Sequence, residues 1–269
     1  MQPKAEKPIV AATGISVYYG ALRVLREVSV RVFPSEIRVI LGTSGCGKTT
    51  LLKTMVGLLR PAAGSVRLFD VEIGEQDDPE TIAVLKKAGV LFQNGALLGS
   101  LTVEENIALP LQMHTSLPQR LIGEIVEYKL SQVRLAGSGH LYPAELSGGM
   151  RKRAALARAL AHDPPVLFCD EPSAGLDPTT AAGLDRLLLD LRRTLGITIV
   201  VVTHELRSIE TIADNVSFLK DGSVLFDGTL AEALTLTTGP VGEFFSRAEP
   251  PLPAGNGGPG YGFIVERDS

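Results

Sequence analysis

A chain of 269 residues that is 45% hydrophobic carries enough apolar material to bury the core of one large domain or two small ones, which excludes a disordered protein. Its net charge of -4 argues against the basic surface on which nucleic-acid binders rely, so no nucleic-acid partner is expected. Cys46 and Cys169 show neither disulfide-framework nor zinc spacing, and the longest apolar run, 197–202, is far shorter than the roughly 18 residues that cross a bilayer.

Residues 1–7 are polar, so no secretory leader is expected, and any membrane role must be borrowed from a partner. Residues 9–19 and 24–32 read as strands; in the second, Val28, Val30 and Val32 alternate with Ser29 and Arg31. Two such strands ahead of a buried one imply an antiparallel sheet beside a parallel core. The apolar run 37–41 then enters Gly42-Thr43-Ser44-Gly45-Cys46-Gly47-Lys48-Thr49-Thr50, followed by Leu51-Leu52 and a helix. Strand, glycine-rich loop and helix together fit G-x-x-x-x-G-K-[ST], whose backbone N–H groups wrap nucleotide phosphates. Lys48 reaches the outer phosphates and Thr49 ligates Mg2+, while the helix start adds partial positive charge. Cys46, at this N–H-rich start, is expected to favour its thiolate.

Residues 64–73 read as one further peripheral strand, 79–87 as a short helix and 89–93 as a buried strand ending at Gln93. Helices follow over 102–109, with Thr102 and Glu105 as a capping pair, over 118–135 and over 147–161. A helical block inserted into an α/β pattern is a domain within a domain, placed at about 94–162. Strands resume at 165–170 and 197–202 around a helix at 179–195; both are continuous apolar runs, as in a parallel sheet covered on both faces. Asp221-Gly222 marks a hairpin between 216–219 and 223–226, and short helices at 230–234 and 241–246 end the domain at residue 248. Residues 249–269 form a Pro/Gly-rich tail.

Asp170 and Glu171 stand together at the carboxyl end of a buried strand, the edge where open α/β sheets bind ligands. Asp170 is placed to hold Mg2+ and Glu171 to polarise an attacking water. Ser147-Gly148-Gly149 opens a helix with a natural N-cap and bare amides, a second anion cradle. A single triphosphate does not need two cradles in one chain, which points to a head-to-tail homodimer with two composite sites. The run Met150-Arg151-Lys152-Arg153 is expected to be a solvated helix face.

The order of glycine-rich loop, Gln93, Leu146-Ser147-Gly148-Gly149, Asp170-Glu171, Ser173-Ala174-Gly175-Leu176-Asp177 and His204 resembles an ATP-binding cassette (ABC) ATPase over residues 9–245. The fold implied is α/β, a P-loop NTPase with a RecA-like mixed-sheet core, an N-terminal antiparallel subdomain and an inserted helical subdomain. The resemblance further implies ATP and Mg2+ as cofactors. Gln93 would sense Mg2+ and the γ-phosphate, Asp177 would communicate between sites and His204 would contact the γ-phosphate. Tyr19 would stack on adenine, with Tyr18 as its competitor. Many family members carry Gln where Met150 stands.

Residues 93–111, with 146–153 and the Ala-rich helix after them, are similar to the ATPases of Mla-type (maintenance of lipid asymmetry) phospholipid transporters, which serve MCE proteins. That likeness implies a subunit peripheral on the cytoplasmic face of the inner membrane, docked to an integral permease through Ala96, Leu97 and Leu98 and associated with an MCE-type lipid-binding protein. Residues 261–265 would anchor the tail on the dimer mate. Other ABC importers or exporters, and non-transport cell-division ABC regulators, share the same nucleotide motifs.

Overall fold

The computed structural model describes residues 7–75 and 77–246. The alternation of the first strands sets one layer: β1 (Val10–Tyr19) and β2 (Leu22–Val32) pair antiparallel, with Val28, Val30 and Val32 buried and Ser29 and Arg31 exposed. A bulge at Glu27, whose φ is +53°, inserts a second consecutive outward residue, so Leu25 and Val28 both point inward. β4 (Ala63–Leu68) and β5 (Val71–Glu72) complete a sheet of order β2-β1-β4-β5. The single strand expected over 64–73 is therefore two. Phe69 and Asp70 both take positive φ, +50° and +70°, in a tight turn that usually announces itself as Asn-Gly.

The second sheet runs β10-β9-β3-β8-β7-β6, where β3 is Ile37–Gly42, β6 Ala88–Leu91, β7 Val166–Asp170, β8 Thr198–Val202, β9 Asn215–Lys220 and β10 Ser223–Thr229. All neighbours are parallel except β10, which returns on β9 through Asp221-Gly222. Every residue of β3, β7 and β8 is buried, because both faces are covered. On one face Ile40, Phe168 and Val200 pack with α1 (Lys48–Met55) and the antiparallel sheet. On the other, Val39, Leu167 and Ile199 pack with α6 (Pro178–Leu195) and the helical block.

That block comprises α3 (Val103–His114), α4 (Gln119–Gln132) and α5 (Gly148–Ala159), all between β6 and β7. α3 runs five residues past the expected stop at Leu109: Pro110 forfeits one backbone bond, but Val103, Ile107 and Leu111 continue a buried stripe that offsets it. The remaining helices are α2 (Pro79–Leu85), α7 (Leu206–Ile212), α8 (Leu230–Thr235) and α9 (Gly239–Ser246). Nothing in the sequence reading anticipated α7. Among the described residues no helix is long and apolar enough to cross a membrane. The expected tail, 249–269, with its expected anchor at 261–265, lies outside the described residues.

Candidate active site

The carboxyl edge of the second sheet is shaped by two close approaches. β3 ends at Gly42, where φ is +148° and an added Cβ would lie 2.1 Å from the Leu219 carbonyl oxygen of β9. Five residues on, Gly47 has φ +104° and a Cβ would lie 2.6 Å from Leu25 Cδ2 of β2. The loop between them is therefore pressed from both sheets and can be built only by glycine at these points. α1 then starts at Lys48 with no side chain capping it, so the N–H groups of its first turn stay available.

Lys48 Nζ donates to the carbonyls of Gly42 (3.0 Å) and Thr43 (3.1 Å), which holds the ammonium across its own loop. Thr49 Oγ1 donates to Asp170 Oδ1 at 2.9 Å, joining α1 to the end of β7. Burial raises the Asp170 carboxyl above its ordinary value, and the Thr49 hydrogen bond opposes that rise. Glu171 follows in a left-handed conformation, φ +45°, with its N–H bonded to the Val202 carbonyl at 2.8 Å. Its Oε1 lies 2.8 Å from His204 Nδ1, while its Oε2 is buried and has no hydrogen-bond partner. An ionised carboxylate only accepts, so Nδ1 is the donor of that pair.

Ser44, Gly45, Gly47 to Thr50, Gln93, Glu171 and His204 line one cavity of about 340 Å³, joined by Val24, which the sequence reading did not single out. Gly42, Thr43 and Cys46 of the loop do not line this cavity, and Asp170 is joined to it through Thr49. Ser147, Gly148, Gly149, Asp177 and Tyr19 do not reach this cavity. Ser147 caps α5, its Oγ accepting from the Met150 N–H at 3.2 Å. Asp177 caps α6, accepting from the N–H groups of Thr179 (3.1 Å) and Thr180 (3.0 Å), and the Thr180 hydroxyl holds its carboxyl below the usual range. Tyr18 and Tyr19 are both exposed, and the Arg23 guanidinium lies 5.8 Å from the centre of the Tyr18 ring.

Two expectations are corrected. Cys46 is buried, and burial raises its thiol despite the nearby Lys48, so desolvation outweighs the helix start and the thiolate is not favoured. The basic run is solvated only in part: Arg151 is exposed, but Lys152 and Arg153 turn inward. Lys152 is buried and donates to the carbonyls of Gln93 and Glu171, the latter at 3.2 Å. Burial lowers its ammonium, with Asp170 and Glu171 among the groups that oppose this. Arg153, half-buried, donates to the Val133 carbonyl at 3.3 Å.

Two polar residues that the sequence reading passed over shape the segment after Gln93. Arg158 donates to the carbonyls of Ala96 (2.7 Å) and Gly95 (2.9 Å), both in positive φ. Asn106, fully buried, accepts from the Leu98 N–H at 2.8 Å and donates to the carbonyls of Leu98, Leu101 and Thr102. Leu97 packs partly on the core while Ala96 and Leu98 stay exposed.

The sequence profile of the ABC transporter family matches residues 25–174, which contain the glycine-rich loop, Gln93, the Ser147 cradle and the Asp170-Glu171 pair. The chain belongs to that family. This ABC chain is 41% identical over 210 residues to the probable ribonucleotide transport ATP-binding protein mkl of Mycobacterium tuberculosis, a match covering 78% of this chain and 58% of that protein. It is 39% identical over 209 residues to the methionine import ATP-binding protein MetN 2 of Burkholderia mallei, covering 78% and 52% respectively. The chain thus spans little more than half the length of the curated relatives it matches. Among solved structures it resembles the dimeric ATP-binding cassette MJ0796 bound to ADP and Pi, with 30% identity, a TM-score of 0.76, and coverage of 82% of this chain and 98% of that one. It also resembles cbiO1 from Clostridium perfringens, part of the ABC transporter complex cbiONQ, with 27% identity, a TM-score of 0.78, and coverage of 86% and 92%.

The fold is that of an ABC ATPase, whose ligands are ATP and Mg2+. The residues present fit both: uncapped amides and Lys48 stand where an anion would lie, and Thr49 and Asp170 already touch where a hard cation takes oxygen ligands. Glu171 lines the same cavity, and its Oε2 is a buried acceptor without a protein donor.

Proposed function

We propose that this chain is the ATPase subunit of a phospholipid-transporting ABC system, hydrolysing ATP as a head-to-tail homodimer attached to an integral membrane permease with an MCE-type partner. The observation that carries the hydrolytic part is Glu171, which lines the same cavity as Lys48 and Thr49 with one carboxylate oxygen oriented by His204 at 2.8 Å and the other without a hydrogen-bond partner. Lys48 and the amides of α1 bind and orient the phosphates. Thr49 and Asp170 would hold Mg2+, which supplies charge neutralisation as phosphate oxygens gain electron density. The Glu171 carboxylate takes the proton of the attacking water, and His204 Nδ1 holds that carboxylate in place. Gln93 lines the same cavity, so its side chain is the route by which the site reports to residues 94–98.

Two features support the remaining parts. The Ser147 cradle lies away from the Lys48 cavity, which suits completion of each site by a second copy, and the MJ0796 cassette is dimeric. Residues 95–98 are clamped by Arg158 and Asn106 so that Ala96 and Leu98 face outward, an apolar presentation suited to a membrane subunit. Placement on the cytoplasmic side of the inner membrane belongs to this reading. Transport of a small polar solute is the second reading, favoured by the ribonucleotide and methionine named for the two relatives. Purifying the tagged chain from native membranes with its permease, followed by lipid mass spectrometry, separates them: enriched phospholipid with an MCE-type subunit is the expected result. ATPase stimulation of the complex by ribonucleotide or methionine, without lipid, would refute the phospholipid assignment.

A further inference from the structure

We infer that Lys152 is a positioning residue that fastens the backbone at both Gln93 and Glu171 to helix α5. This role rests on reading the Glu171 cavity as an ATPase site. A buried ammonium is costly unless its hydrogens are taken up. Here the acceptors are two main-chain carbonyls, those of Gln93 and Glu171, from segments 78 positions apart in sequence. Main-chain acceptors matter because they fix peptide planes, and with them the directions in which both side chains leave the backbone. The Glu171 peptide is the place where such a fastening has something to hold, since that residue keeps a left-handed φ of +45° that an L side chain rarely adopts. Gln93 follows the edge strand β6 and is exposed, so its own neighbours in the sheet do not fix it. Lys152 reaches both from the inward stripe of α5, alongside buried Gly149 and Leu156, one turn beyond the Ser147 cap.

The test uses the purified full chain with two substitutions: Lys152→Met, which keeps length and removes the donors, and Lys152→Arg, which keeps donors and charge. ATP turnover is followed against ATP concentration, together with binding of a fluorescent ATP analogue and thermal melting. The expected result for Lys152→Met is a kcat at least about tenfold lower with KM and analogue affinity within about threefold of wild type, and for Lys152→Arg a kcat restored to within about threefold. The role is overturned if Lys152→Met turns over at the wild-type rate, if it loses kcat and nucleotide binding together, or if the arginine variant fails as fully as the methionine one. A wild-type chain that binds but never hydrolyses ATP sinks the ATPase reading, and this role with it; an active wild type beside an unaffected Lys152→Met sinks this role alone.

Discussion

Glu171→Gln isolates the proton-accepting oxygen from everything else in the site. The amide keeps the shape of the carboxylate, and its oxygen can still accept from His204 Nδ1, where Oε1 now sits at 2.8 Å. The other position becomes an NH2, which cannot take a proton from water. Loss of a general base costs about 10²- to 10⁴-fold, or about 3–5 kcal/mol of barrier at roughly 1.4 kcal/mol per tenfold. Binding is carried by Lys48, Thr49 and the α1 amides, none of which contacts the substituted atoms through the hydrogen bonds described, so affinity for ATP stays within about threefold. Folding is not weakened, because the Glu171 Oε2 that is replaced has no hydrogen-bond partner to lose. Steady-state phosphate release, nucleotide binding and a melting curve measure the three quantities. A variant that hydrolyses ATP within about threefold of wild type would show that the proton leaves by another route and that Glu171 only shapes the cavity.

Asn106→Ala removes four hydrogen bonds from a fully buried side chain and orphans the backbone around Leu98, so a loss of about 3 kcal/mol in urea unfolding is expected; a loss below about 0.5 kcal/mol would mean that residues 98–102 satisfy themselves. Both cysteines are buried and both thiols are raised by burial, so a thiol-reactive dye at neutral pH should label neither in the folded protein and both after denaturation; rapid labelling of Cys46 that ATP blocks would contradict this. Asp185, buried with Oδ1 unpartnered and Ser208 Oγ donating to Oδ2 at 2.8 Å, has its carboxyl raised by burial and, less, by Glu205. A raised folded-state value means that the native chain holds this proton longer than the unfolded one, so its contribution to stability falls as pH rises from 3.8 through the folded-state value and stays lower above it. Asp185→Asn should therefore melt higher than wild type at neutral pH, with the two curves converging in acid; parallel curves at all pH would refute that account.

What could be read from the sequence was whatever is local. The glycine-rich loop, the capping pair Thr102 and Glu105, the hairpin at Asp221-Gly222 and the apolar runs of β3, β7 and β8 each carry their cause within a few residues. What escaped depends on which distant groups meet. Lys152, Arg158 and Asn106 look like ordinary polar helix residues until the carbonyls of Gln93, Glu171, Ala96 and Leu98 are brought against them. The helical spacing of Gly149, Lys152 and Leu156 on one stripe was the available clue, since it puts a lysine on the inward side of α5. The thiol of Cys46 failed for the same reason: helix position favours its charge, but burial, visible only in the folded chain, dominates. The turn at Phe69-Asp70 escaped because neither residue is a usual occupant of positive φ.

The glycine-rich loop lies at a seam between the two sheets. Gly42 abuts Leu219 at the end of β9, Gly47 abuts Leu25 of β2, and Gly222 at the hairpin tip would bring a Cβ to 2.3 Å from the Val24 carbonyl oxygen, with the Arg26 N–H bonded to the Gly222 carbonyl at 2.7 Å. Strands from opposite ends of the chain thus interlock around the loop like three parts of one mould. The practical consequence concerns chimaeras: replacing residues 9–32 with the equivalent strands of another cassette transplants half of the mould, and nucleotide affinity should survive only when residues 215–229 travel with them.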